Sequence, residues 1–254
     1  MYVRAVCFVL GVLLVCIGAS FILPVGVSLW FEDGAAAPLL FSMAGICAAG
    51  LILSLPNRPS RDVGMSARQG FAVVGLCWLA ASFAGGVPYM LAGEMGLTDA
   101  VFEAASGFTT TGATILTDIE ALPRGLLMWR SLTHWLGGLG IIVLTLVVLP
   151  LLGVGGMQLY RAEASGPHPG KLTPRMRDTA LALWKIYLLL TALETALLMA
   201  AGMDWFDALN HAFSTLATGG FSTRNASIAA YPGAASQWII IVFMFLAGMR
   251  FSLH

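Results

Sequence analysis

The sequence predicts an all-α polytopic membrane protein in which two N-terminal helices precede two helix–loop–helix repeats. Three observations carry that prediction. The 254 residues are 58% hydrophobic and only 10% charged, whereas a soluble domain carries about 25% charged residues. A chain so poor in charge cannot cover a water-facing surface, so the bilayer is its solvent. Six apolar stretches have roughly the length needed to span, at 5–29, 36–56, 71–92, 126–152, 180–202 and 236–254. Two stretches of intermediate polarity, 98–114 and 204–222, fall between the third and fourth and between the fifth and sixth. Each is too short and too polar to cross alone.

Taken in order, the first stretch opens like a signal peptide, with Arg4 ahead of an apolar core. The apolar run continues to about Leu29, long enough to span, so a retained helix is expected. With the second stretch it makes an N-terminal two-helix unit, residues 1–60. Residues 61–160 form the first repeat and 161–254 the second, which ends at its second helix. Gly112 maps onto Gly219 at a spacing of 219 − 112 = 107 residues. Each intermediate segment is expected to enter as a short helix (98–108 and 204–216) and to return extended. Non-helical backbone at membrane depth is tolerated only where protein buries it or where it lines a watery cavity.

Basic residues set the orientation. Arg4, the loop 57–69 (Arg58, Arg61, Arg68) and the loop 160–178 (Arg161, Lys171, Arg175, Arg177) fall on one side if the spans alternate, and that side is predicted to be cytoplasmic, with both termini. Glu32, Asp33, Glu94, Asp99, Asp118, Glu120, Asp204 and Asp207 fall on the other, with Arg124 and Arg224 as its clearest bases. Both intermediate segments then dip in from outside. The formal net charge of zero gives no sign of a nucleic-acid partner, and none is expected; membrane lipid is.

The stretches 105-ASGFTTTGATIL-116 and 213-FSTLATGGFST-223 hold the chemistry. Stripping a small cation of water costs tens of kcal/mol unless other oxygens replace its shell. Potassium channels meet this with four extended loops whose backbone carbonyls point inward. Glycine permits the dihedrals and close approach this needs, and threonine adds uncharged hydroxyls. Thr110, Thr111, Gly112 and Ala113, with Ala217, Thr218, Gly219 and Gly220, are the candidate ion-binding residues. The short helices would aim their partly negative C-terminal ends at the ion. Neither stretch contains Asp or Glu, so carbonyl coordination is the natural chemistry. The fold class is thus two N-terminal helices, then two helix–pore loop–helix repeats of potassium-channel-like form, with no catalytic residues and no cofactor.

Other polar residues read more simply. Glu103, Asn210 and His211 fall on the short helices, where bracing hydrogen bonds behind the loops are expected. His134 lacks a second His or carboxylate at helical spacing and reads as packed or hydrogen-bonded. Lys185 can snorkel toward the cytoplasmic end, and Glu194 is expected to face the protein interior. Cys7, Cys16, Cys47 and Cys77 read as inert buried thiols. The glycine-rich runs 136–144 and 153–156 suit close helix packing. Trp30, Trp129, Trp205 and Trp238 are expected at the membrane interfaces.

SGFTTTGATIL, HAFSTLATGGFST and MQLYRAEASGP…KLTPRMRDTA resemble the TrkH/TrkG branch of the Trk/Ktr/HKT superfamily of potassium transporters, over essentially the whole chain. The resemblance implies potassium uptake across the bacterial inner membrane. It implies four repeats around one pore, with filter glycines at Gly112 and Gly219 and carbonyl donors at Thr110, Thr111, Ala113, Ala217, Thr218 and Gly220. It also implies a homodimer and a cytosolic nucleotide-binding regulatory ring like TrkA. The chain holds two of those four repeats and carries Arg250 where the family usually has Asn. It is therefore expected to be a truncated N-terminal half that needs its missing C-terminal half, or else to pair as two copies that supply four loops. The rivals from other classes are a non-conducting structural or assembly subunit, in which the loops merely pack, and an intramembrane enzyme using His134 or Glu194.

Overall fold

The computed structural model describes residues 2–58, 67–143 and 174–249. Among these, all regular structure is helical. Helix α1 (Tyr2–Ser20) and helix α2 (Ile22–Phe31) divide the first predicted span at Phe21. Pro24 has no N–H to donate back across the break, and Phe21 N instead makes a tight bond to Gly18 O at 3.2 Å. The break lets the two halves serve different neighbours. Helix α1 lies on α3 (Ala36–Ser54), while α2 lies on α6 (Arg124–Val143).

The α1–α3 pair is close because small residues face each other. A Cβ on Gly11 would sit 2.6 Å from the Ser54 amide nitrogen, and one on Gly50 would sit 2.7 Å from Gly11 O. In lipid, where burying one apolar helix against another gains little, such backbone approach is what holds helices together.

Helix α4 (Ala67–Leu91) packs on α1 and α3 and leads into the short α5 (Leu97–Phe108). Helix α7 (Pro174–Ala200) leads in the same way into α8 (Trp205–Leu216), followed by a 3-10 turn (Ser227–Ala230) and α9 (Ala234–Gly248). Both turns into the short helices are built alike. Gly93 at φ 78° and Gly202 at φ 99° end the preceding helices, and Glu94 N bonds to Tyr89 O at 3.1 Å as Met203 N bonds to Leu198 O at 3.1 Å. This is the left-handed glycine stop that satisfies the last helix carbonyls.

Four helices are long and apolar enough to cross a membrane: Val3–Phe31, Ala36–Asn57, Gly70–Leu91 and Leu181–Ala200. The protein is a multi-pass membrane protein. The predicted spans 126–152 and 236–254 are not among the four. Helix α6 carries Arg130, Ser131, Thr133 and His134, all buried, because protein surrounds this stretch where lipid was expected. Helix α9 has 15 residues. The parts of those predicted spans beyond 143 and 249 lie outside the described residues. So do Arg61, Arg161, Lys171, the run 153–156, Arg250 and the unit boundaries at 60/61 and 160/161.

Two further expectations change. Trp129 is no interfacial anchor: it is fully buried, stacked on Phe21 at 3.9 Å, with its indole N–H donated to Gly85 O at 2.9 Å. The polar edge of the indole finds its partner in a backbone carbonyl in place of a headgroup. Trp30, Trp205 and Trp238 are exposed. The cysteines are free but not buried by the chain, Cys16 being exposed and the other three half-buried. Cys47 faces α1, its thiol 3.9 Å from Val15 O.

Candidate functional site

The two short helices end in extended strands of matching backbone. Thr109 caps α5 and Ala217 caps α8, with φ −78° at both. The next residue takes a left-handed conformation in each, Thr110 at φ 55° and Thr218 at φ 56°, and so does the third, Gly112 at φ 77° and Gly220 at φ 97°. The hydrogen bonds repeat too. Thr110 N bonds to Gly107 O and Thr218 N to Thr215 O; Thr111 N bonds to Ser106 O and Gly219 N to Ser214 O.

These pairs fix the register at 218 − 110 = 108 residues. The structural counterpart of Gly112 is therefore Gly220, one residue later than the sequence spacing suggested. Gly219 corresponds to Thr111, and Ala217 to the cap residue Thr109. A β-branched residue at positive φ is an outlier, and its occurrence at the same step of both strands marks a backbone held to shape by its surroundings.

The strands meet. A Cβ on Gly112 would fall inside the van der Waals radius of the Gly219 carbonyl oxygen, and one on Gly219 would overlap the imidazole of His134. Glycine is needed at both places, at 112 for dihedral and space and at 219 for space. Thr110, Thr111, Gly112, Ala113, Thr218, Gly219 and Gly220 thus gather in one place, with Ala217 at the helix end beneath them.

Behind each strand stands a brace from the short helix. In the first repeat the Glu103 carboxylate accepts from Thr114 Oγ1 at 2.8 Å and from the Ile115 amide at 3.2 Å. In the second, His211 Nε2 faces Ser222 Oγ at 3.0 Å while Nδ1 donates to Asp207 O at 2.7 Å. A carbonyl can only accept, so Nδ1 carries the proton and Nε2 takes one from Ser222. Glu103 and His211, and Thr114 and Ser222, are again 108 residues apart. Asn210 is buried beside them, its amide donating to Phe206 O at 2.7 Å.

Sequence reading missed Arg130. It is buried on α6, pairs with Glu103 at 2.6 Å, donates to Ser222 O at 2.9 Å and lies 3.6 Å over the Phe221 ring. The available signal was an arginine inside the first two turns of a predicted span, in a chain with a carboxylate on a short helix. His134 lies beside it, stacked on Phe221 at 3.9 Å with Nδ1 2.9 Å from Ser214 Oγ. It is a packed, hydrogen-bonded histidine behind the second strand. Glu194 is fully buried on α7 and Lys185 is exposed. Among the described residues no group of three His, Cys, Asp or Glu could hold a metal ion.

A second clamp holds the outer limb of the second loop. Asp207 accepts from Thr223 Oγ1 at 2.6 Å, from Arg224 at 2.7 Å and from the Tyr231 hydroxyl. Burial pushes the Asp207 carboxyl up, but the hydrogen bonds from Thr223, Tyr231 and Arg224 outweigh it and hold the group below the usual range. Tyr231 is pushed up to about 12 by burial and by its bond to Asp207. Between the loops, Asn225 joins Asp118 Oδ1 at 2.8 Å and the Ile119 amide at 2.7 Å.

Comparison with known proteins places the chain in a family. The family model described as "Cation transport protein", TrkH, matches residues 39–254. The chain is 45% identical to the Trk system potassium uptake protein TrkH of Halomonas elongata, over 100% of this chain and 53% of that protein. It is 42% identical to TrkH of Escherichia coli, again over 100% and 53%, and 36% identical to the TrkG protein of that organism, over 99% and 52%. Among solved structures, the potassium transporter TrkH of Vibrio parahaemolyticus superimposes with a TM-score of 0.88 at 37% identity, over 100% of this chain and 51% of that one. The chain thus spans about half the length of the curated relatives it matches.

Proposed function

We propose that this chain, which belongs to the TrkH family of cation transport proteins, supplies two of the backbone strands through which potassium is taken up across the membrane. The observation that carries the reading is the paired left-handed backbone at Thr110/Gly112 and Thr218/Gly220, on strands that touch at Gly112 and Gly219. Carbonyl oxygens of Thr110, Thr111, Gly112 and Ala113, and of Thr218, Gly219 and Gly220, replace the water shell of the ion, with Ala217 at the inner end of its strand. No carboxylate lies in either strand, which suits a weakly hydrated monovalent ion. The pore helices α5 and α8 end where the strands begin, and their partly negative termini stabilise a cation there. The ion moves down its gradient or is driven by the membrane potential, with no covalent chemistry.

Two strands surround a dehydrated ion on half its circumference, whereas a carbonyl filter uses four. The other strands come from a second copy or from a further length of chain. In this reading the protein lies in the bacterial inner membrane with both termini cytoplasmic, and a nucleotide-binding ring on that side regulates it.

Gly112→Val tests the proposal in cells lacking their own potassium uptake. Loss of growth rescue at low potassium, with the variant still inserted in the membrane, is the expected result. Undiminished rescue would overturn the filter and leave the loops as packing elements.

A further inference from the structure

The Glu103–Arg130 pair has a geometry that a simple buried salt bridge does not require. Glu103 belongs to α5 and holds the outgoing limb of the first strand, through Thr114 and the Ile115 amide. Arg130 belongs to α6, yet it reaches into the other repeat, to the Ser222 carbonyl at 2.9 Å and the Phe221 ring at 3.6 Å. Both side chains are essentially closed off from solvent, at 2% and 0% exposed. Removing two charges from water is expensive, and an apolar pair of similar volume is often as stable or more so. Stability alone is a weak reason for an ion pair here; joining two loops is a stronger one.

The structure assigns to Arg130 the role of a cross-brace: through Glu103 it fixes the first strand, through Ser222 and Phe221 the second, and so sets the separation of the two carbonyl rows. This rests on the strands being filter strands, and it names the residue that determines which ion fits between them. Arginine suits the task because its planar fork donates in two directions while its face stacks on an aromatic ring. Lysine keeps the charge but can do neither in a fixed geometry. Arg130 does not touch the ion. It is a positioning residue that acts through backbone.

The test uses the full chain carrying Glu103→Gln, Arg130→Lys, Arg130→Gln, or Glu103→Gln with Arg130→Gln. The double variant removes both charges together, so it folds even if a single one leaves a buried charge unpaired. Amide hydrogen exchange is followed at 113–116, at 220–224 and, as a control, in α1 and α3. Glu103→Gln is expected to speed exchange at 220–224, which it does not contact, by about tenfold, the size of a lost charge-assisted hydrogen bond. Arg130→Lys does the same at both loops, and α1 and α3 stay unchanged in every variant. An effect of Glu103→Gln confined to 113–116, in a chain whose control helices are unaltered, would overturn the cross-brace.

Rubidium and sodium uptake, measured on the same variants in cells, gives the second readout. The cross-brace predicts a lower rubidium-to-sodium ratio for Arg130→Lys with total cation uptake retained. An unchanged ratio would overturn the selectivity role even where exchange shows coupling. If the unaltered chain carries neither ion, pairing of two copies as the source of the other strands fails, and exchange alone still decides whether Arg130 joins the two loops.

Discussion

The two repeats share a backbone and differ in nearly every side chain that supports it. Each has a helix stop at a left-handed glycine, a twelve-residue helix, and a strand with positive φ at its second and fourth residues counted from the cap. The brace behind the strand is Glu103 on Thr114 in one and His211 on Ser222 in the other. The first helix starts at Gly96 with no side-chain cap, whereas Asp204 caps the second by accepting from two amides. Asp99 is exposed, whereas its counterpart Asp207 is buried and holds three donors. A common backbone under exchanged side chains supports the proposed carbonyl coordination, which requires the first and not the second.

The comparison breaks most sharply at the paired aspartates. Asp207→Ala strips an acceptor from Thr223, Arg224 and Tyr231. It is expected to cost about 2–3 kcal/mol, at the low end for a broken buried charge because the Arg224 side chain is 39% exposed. Asp99→Ala is expected to change stability by less than about 0.5 kcal/mol. Thermal melts of both variants check the contrast, and equal losses would refute it.

Acid does the same to the second repeat by a gentler route. The Asp207 carboxyl is held below its usual value, so its contribution is complete above the unfolded value of about 3.9 and is lost as pH falls through the depressed one. Protection of the amides at 222–225, taken relative to their intrinsic exchange rate at each pH, should therefore be flat from neutral pH down to about 4 and fall only below it. A loss of protection centred near neutrality would show that another group holds this limb.

The neighbouring glycines sharpen the register. Gly219 needs space beside His134, but its counterpart in the first strand is Thr111, so its dihedrals admit a side chain. Gly219→Ala should cost about 1–3 kcal/mol by overpacking, and His134→Ala should relieve it. Gly220→Ala should cost about 1–2 kcal/mol of left-handed strain, with no relief from the same change. Relief at Gly220 instead of Gly219 would restore the spacing of 107. Ser222→Ala should cost about 1 kcal/mol, for the bonds it shares with His211 and the Arg224 amide.

Much of this was legible in the sequence. The short helices emerge within a residue of 98–108 and 204–216, and the strands lie where the threonines and glycines do. The register was not legible, because Gly219 and Gly220 are adjacent and composition cannot say which takes positive φ. That Thr218 and not a glycine takes the first left-handed step runs against propensity, and only the packing around it decides. Helix α6 read as a span because its leucines and two tryptophans dominate. Arg130 is legible as buried only once α5 and α8 are known to lie against it, whereas His134 reads as packed from the sequence. Trp129 misled for the same reason: proximity to a span end says nothing of which side is protein.

Anomalous scattering from rubidium, with the protein in its assembled state, bears most directly on the ion path. Carbonyl coordination predicts a peak between the strands, ringed by backbone oxygens of 110–113 and 218–220. A peak held by carboxylates such as Asp118 or Glu120, with none between the strands, would contradict it.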